Sequence, residues 1–174
     1  MLEKVRYRTW QVWKSLTGKL TSRDWDLIHS LLTPEQIALF RRMTPGEQAH
    51  SVRVVRYLHS EGFQDPELLV AGLLHDVGKS RNPLSLWDRI WIVLAAGLPV
   101  DFSPEGQGKD NFWFRPLVVA CQHPEWGSEM ALSVGVTSLT AWLIEHHERD
   151  DIGNMGDSKK NRYLEALAEA DHHS

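Results

Sequence analysis

The sequence predicts an all-helical domain of about seven to nine helices built around one core. Three observations lead there. Helix-start signals recur, with Thr-Pro or Asp-Pro at Thr33-Pro34, Thr44-Pro45 and Asp65-Pro66. Period-two alternation of apolar residues is nearly absent. Val118-Val119 is the one β-favouring pair in a strand-like context, and its run fits a helix equally well.

At the start of the chain, Tyr7, Trp10, Trp13 and Leu16 or Thr17 follow helical spacing with basic residues between them. Two readings stand: a helix packed on its own domain, or a basic amphipathic helix (residues 1–20) that meets an anionic membrane or a protein partner. Thr33-Pro34-Glu35-Gln36 has the form of a capping box. Thr44-Pro45-Gly46-Glu47 repeats it and opens a helix to about Glu61, with Gly62 as its stop. Asp65-Pro66 opens the next, which carries Leu68, Leu69, Ala71, Leu73 and Leu74 into His75. Pro83 precedes a helix over Leu84 to Gly97, and Pro124 opens a short helix ending near Gly135. Thr137 or Ser138 caps a helix reaching His147, and Asp157 or Ser158 caps the last, from about Lys159 to Asp171. Pro99 to Asn111 and Arg149 to Lys160 read as loops. Residues 1–43 are taken as a helical segment packed on the domain proper, residues 44–174.

Bulk properties remove several functional classes. A net charge of −4 gives no strong positive field for nucleic acid. The single cysteine forbids an intrachain disulfide and suits a reducing cytosol, so a cytoplasmic location is expected. The first twenty residues hold no continuous apolar core, so no secretory signal is expected. Leu84 to Val100, the longest apolar stretch, contains Asp88 and Arg89 and is broken by Gly97 and Pro99, short of a spanning helix.

The chemistry lies in an ordered series: His50, His75-Asp76, His123, His146-His147 and Asp171. Imidazole and carboxylate together bind divalent metals, and open mixed N/O sites suit Mn, Fe or Zn, with Mg also in the set. Glu47, His50 and Arg53 share one helix face. Consecutive helical residues diverge by about 100°, so His75 and Asp76 reach one metal only where the helix ends, and Gly78 is read as that stop. Asp76 then bridges two metals. Cys121, two residues before His123, reads as a small buried residue rather than a ligand, and His29 and His59 have no evident site. The eight tryptophans, Trp126 and Trp142 among them, read as packing residues.

These motifs resemble the HD-domain metal-dependent phosphohydrolase superfamily, from about Thr44 to His172. The resemblance implies an HD-like helical bundle and places the minimal metal site at His50, His75, Asp76 and Asp171. Three segments are closest to the HD-GYP-like subgroup: His75-Asp76-Val77-Gly78-Lys79, His123-Pro124-Glu125-Trp126-Gly127 and Glu145-His146-His147-Glu148-Arg149. By that resemblance His123, His146 and His147 complete a site for two divalent ions, and Lys79 contacts substrate phosphate or the attacking water. The subgroup's Gly-Tyr-Pro segment is missing, because Arg149-Asp150-Asp151-Ile152-Gly153 stands in its place. Gly46 stands where some members carry a further Glu ligand, so a third metal has no counterpart. The implied activity is hydrolysis of a phosphate ester or anhydride, with a nucleotide as substrate class. Asp76 and Lys79 are the catalytic candidates, Arg53 and Arg149 further substrate contacts, and Glu47 and Glu148 partners that hold imidazole tautomers. The alternative is a catalytically degenerate module that binds metal or nucleotide as a regulator.

Overall fold

The computed structural model describes residues 18–82, 115–148 and 158–174. The expected helix at the N-terminus, the helix over Leu84 to Gly97, most of both expected loops, and Arg149 lie outside them. Seven α-helices and one short 3₁₀ helix make up the described residues, and no strand occurs among them. The all-α expectation holds.

Helices α1 (Ser22–Leu31), α2 (Pro34–Phe40) and α3 (Pro45–Ser60) each begin in a capping box, on Thr21, Thr33 and Thr44. Each box satisfies two backbone N–H groups that the first helical turn would leave unpaired. Glu61 caps α3, and Gly62, at φ 85°, turns the chain out of it as expected. Helix α4 (Pro66–Leu74) is capped by Asp65, and every residue from Leu68 to Leu74 is buried. A short helix that is apolar on all sides belongs at the centre. Here α3, α6 (Ser138–His146) and α7 (Ser158–His173) surround it.

Two clamps set α7 parallel to α4. At one end Tyr163 Oη donates to Asp65 at 2.7 Å, and Lys159 Nζ lies 3.2 Å from the same carboxylate. At the other end Asp171 Oδ1 lies 3.5 Å from His75 Nε2. The spans 65–75 and 163–171 correspond to about 15 and 12 Å of helix, so one pairing brings the other within reach. Helix α3 runs antiparallel to α7, with His50 against Asp171 and Tyr57 against Glu169.

Helix α5 (Arg115–Ser133) departs from expectation. Pro124 lies inside it and opens no new helix. Proline has no N–H, so the Ala120 carbonyl loses its donor four residues on. The His123 ring supplies a replacement, with Nδ1 2.9 Å from that oxygen. Gly135, at φ 78°, ends the segment near the expected place, and Thr137 caps α6.

The role given to Gly78 also changes. Helix α4 ends at Leu74, before the glycine, and a 3₁₀ helix over Val77–Arg81 follows. This turn packs closely on α5. A Cβ at Gly78 would collide with the His123 carbonyl oxygen and lie 2.7 Å from the Gly127 amide nitrogen. The two glycines let the backbones touch, which draws His123 in over Asp76.

Gly78→Ala is therefore expected to destabilise the fold by about 1–3 kcal/mol, the usual range for overpacking. Equilibrium denaturation would register it, and an unchanged midpoint would show that the close approach is not required.

Candidate metal centre

The buried end of α4 delivers two polar side chains into the core. His75 is 0% exposed and Asp76 5%. His75 is the C-cap residue, with φ −53° and ψ −37°, and Asp76 follows at φ −93° and ψ 1°. The backbone thus leaves the helical path between them, and both residues face the same space.

Six side chains meet there. His50 Nε2 lies 2.6 Å from Asp171 Oδ1, and that oxygen is also near His75 Nε2. Asp76 Oδ1 lies 3.7 Å from His75 Nε2, 3.4 Å from His123 Nε2 and 3.9 Å from His147 Nε2. Two groups of potential ligands result, His50–His75–Asp76 and Asp76–His123–His147, with the atoms of each within 4.8 Å of one another. Asp76 belongs to both.

The tautomers follow from the backbone. A carbonyl can only accept, so a ring nitrogen facing one carries the proton. His75 Nδ1 donates to Gly72 at 3.0 Å, His123 Nδ1 to Ala120, and His147 Nδ1 to Ile144 at 2.7 Å. When each ring is neutral, its Nε2 therefore holds a lone pair aimed into the cluster. The role expected for Glu47 and Glu148 as tautomer holders is accordingly corrected for these three rings, where main-chain carbonyls perform it. Glu47 serves as the N3 residue of the α3 capping box.

Nε2 of His75 and of His123 are buried without a hydrogen-bond partner. Leaving such groups unsatisfied costs about 1–3 kcal/mol each. A metal ion coordinated by Nε2 would remove that cost, and imidazole with carboxylate is the donor set of a divalent transition metal. The residues fit the ions that the sequence resemblance implies.

Electrostatics separate the two groups. Burial pulls the His75 imidazolium down, but the Asp76 and Asp171 carboxylates outweigh it and lift the group to about 9. His147 moves the other way, pushed to about 3 by burial and by the charge on His75. Burial works against the Asp76 carboxylate, yet Lys79 and His75 hold it well below the usual range. Lys79 Nζ sits 2.6 Å from Asp76 Oδ1, and that carboxylate raises the ammonium despite burial.

Other expected residues stand apart. His146 is in neither group of potential ligands. Its ring stacks on Trp142, with centroids 4.4 Å apart, and its Nδ1 donates to the Trp142 carbonyl at 2.9 Å. One helical step of about 100° separates it from His147. Arg53 Nε donates to the Ser174 carbonyl at 3.2 Å, so part of this substrate-contact candidate is spent on the end of α7. Arg81 bonds Glu129 at 3.3 Å and lies over the half-buried Trp126 ring. Cys121, expected to be buried, is exposed on α5 and in neither group.

A family model for the HD domain matches residues 48–174. The chain belongs to the HD-domain family. Members of that family are in general metal-dependent hydrolases that bind divalent metals. Neither the curated proteins nor the solved structures compared with this HD protein gave a match. No described helix is long and apolar enough to cross a membrane.

Nε2 of His75 must lose its proton before it can accept a metal. With the group lifted to about 9, it is protonated in the metal-free protein at neutral pH. Metal loading there is expected to release about one proton from His75, a release that fades as pH rises through about 9. Calorimetric titration in buffers of different ionisation enthalpy measures it. Release that stays constant well above that pH would show that His75 is not the proton source.

Proposed function

We propose that this HD protein is a metal-dependent phosphohydrolase with two divalent ions, acting on a phosphate ester or anhydride of a small molecule, a nucleotide by preference. One observation carries the proposal: two groups of potential ligands share Asp76, and each contains a buried imidazole nitrogen with no hydrogen-bond partner.

His50, His75, Asp76 and Asp171 would hold one ion, and Asp76, His123 and His147 the other. Such ions supply hydroxide from bound water at neutral pH and a Lewis acid for phosphoryl oxygens. The chain's own part is positional and electrostatic. Asp76 fixes the two halves of the site relative to each other and is placed to orient a water as general base. The Lys79 side chain, 24% exposed, offers its ammonium charge to a phosphate. Carbonyl-bound Nδ1 atoms hold three rings in register, so little reorganisation is needed when substrate arrives.

The nucleotide assignment rests on the superfamily resemblance. So does the kinship with the HD-GYP-like subgroup, and the missing Gly-Tyr-Pro segment speaks against cyclic di-GMP as substrate. That same absence favours the regulatory alternative, a module that binds metal or nucleotide without turnover. Contact of residues 1–20 with a membrane or protein partner is a further proposal, tested by liposome sedimentation with and without them.

Elemental analysis of protein purified without chelator is expected to find about two ions per chain. In added manganese, hydrolysis of bis-p-nitrophenyl phosphate or of members of a nucleotide panel is expected. Asp76→Asn is expected to lose both metal and turnover while keeping its helical circular dichroism. Unchanged metal content in that variant would overturn the site, and metal without turnover on any substrate would favour the regulator. His147→Ala is expected to reduce the content from about two ions toward one.

A further inference from the structure

Glu148 occupies the turn after α6, next to His147. Its Oε1 lies 3.6 Å from His123 Nε2, and its side chain is 49% exposed. With His123 Nδ1 already bonded to the Ala120 carbonyl, Glu148 meets this ring at Nε2, the nitrogen that holds the lone pair when the ring is neutral. A carboxylate and a lone pair do not attract each other. Their approach is favourable when a cation lies between them.

The His123 side of this contact is nine-tenths buried or more and has no hydrogen-bond partner. Burial lowers the Lys79 ammonium, but Asp76 and, after it, Glu148 raise it, which places the Glu148 charge within the field of the centre. The first group gathers His50, His75, Asp76 and Asp171, four donors. The second has His123, His147 and Asp76, three donors, all buried.

We infer that Glu148 is the fourth protein donor of the second group, placed on its solvent side. This rests on the two-metal reading of the site. The two groups then differ in how they meet solvent. The first is held by side chains that also tie α3, α4 and α7 together, with His50 19% and Asp171 33% exposed. The second has three buried donors and meets solvent through Glu148, which is 49% exposed.

The test is calorimetric titration of the metal-free full chain with manganese, for wild type, Glu148→Gln and Glu145→Gln. Glu145 is an exposed carboxylate on α6 and controls for lost surface charge. Wild type and Glu145→Gln are expected to bind two ions with the same pair of affinities. Glu148→Gln is expected to keep one of the two affinities and to lose at least about tenfold in the other. Two ions of unchanged affinity in Glu148→Gln overturn the role of Glu148 and leave the two-metal reading intact. An equal loss in Glu145→Gln also overturns it, because charge alone then explains the effect. Fewer than two ions in wild type overturn the two-metal reading and the role of Glu148 with it.

Discussion

A buried carboxylate that several helices must neutralise governs this structure. Asp76 is 5% exposed and follows a helix buried on every side. An ion in that position costs several kcal/mol unless it is paired. The pairing comes from elsewhere in the chain: Lys79 from the 3₁₀ turn, His123 from α5, His147 from the end of α6. Each partner must be held at its distance, and the main packing contacts do this. The glycine contact of Gly78 with α5 places His123, and the burial of Leu143 and Ile144 on α6 places His147.

A second economy links backbone to site. Helix ends leave carbonyls without donors, and a proline inside a helix does the same one turn earlier. His75 at the end of α4 and His147 at the end of α6 each donate to the carbonyl three residues back. His123 donates beside Pro124. One hydrogen bond thus satisfies an exposed backbone group, fixes a ring's orientation and selects the tautomer that turns Nε2 inward. This explains why His75, His123 and His147 stand at helix breaks, whereas His50, inside α3, meets Asp171 instead. A ring in mid-helix would find the carbonyls behind it already paired.

The centre is uneven in charge. His75 faces two carboxylates, Asp76 and Asp171, and in the metal-free protein takes up a proton that partly neutralises them. His147 lies 5.1 Å from His75, centroid to centroid, and is kept neutral by that charge and by burial. The proton on His75 stands where positive charge belongs when metal is absent. Its loss on loading couples affinity to pH through one identifiable group.

Much of this was legible in the sequence because it is local. Capping boxes at Thr33 and Thr44, the Asp65-Pro66 start, and the Gly62 and Gly135 stops depend on residues within a turn of one another, and they fall where expected. The residue types of the site and their order along the chain were legible too, since only His and Asp in such numbers offer those donors. The tertiary structure decided what depends on distant neighbours. It put Pro124 inside a helix, because His123 replaces the missing donor. It made Gly78 a contact with α5, a role that no local pattern records. It turned His147 inward and stacked His146 on Trp142, a choice set by which face of α6 packs against α4. It brought Glu148 to the lone-pair side of His123. The sequence by itself determined which atoms can bind a metal. Which of them converge was decided by packing, because burying α4 on all sides leaves its polar end a single direction to face.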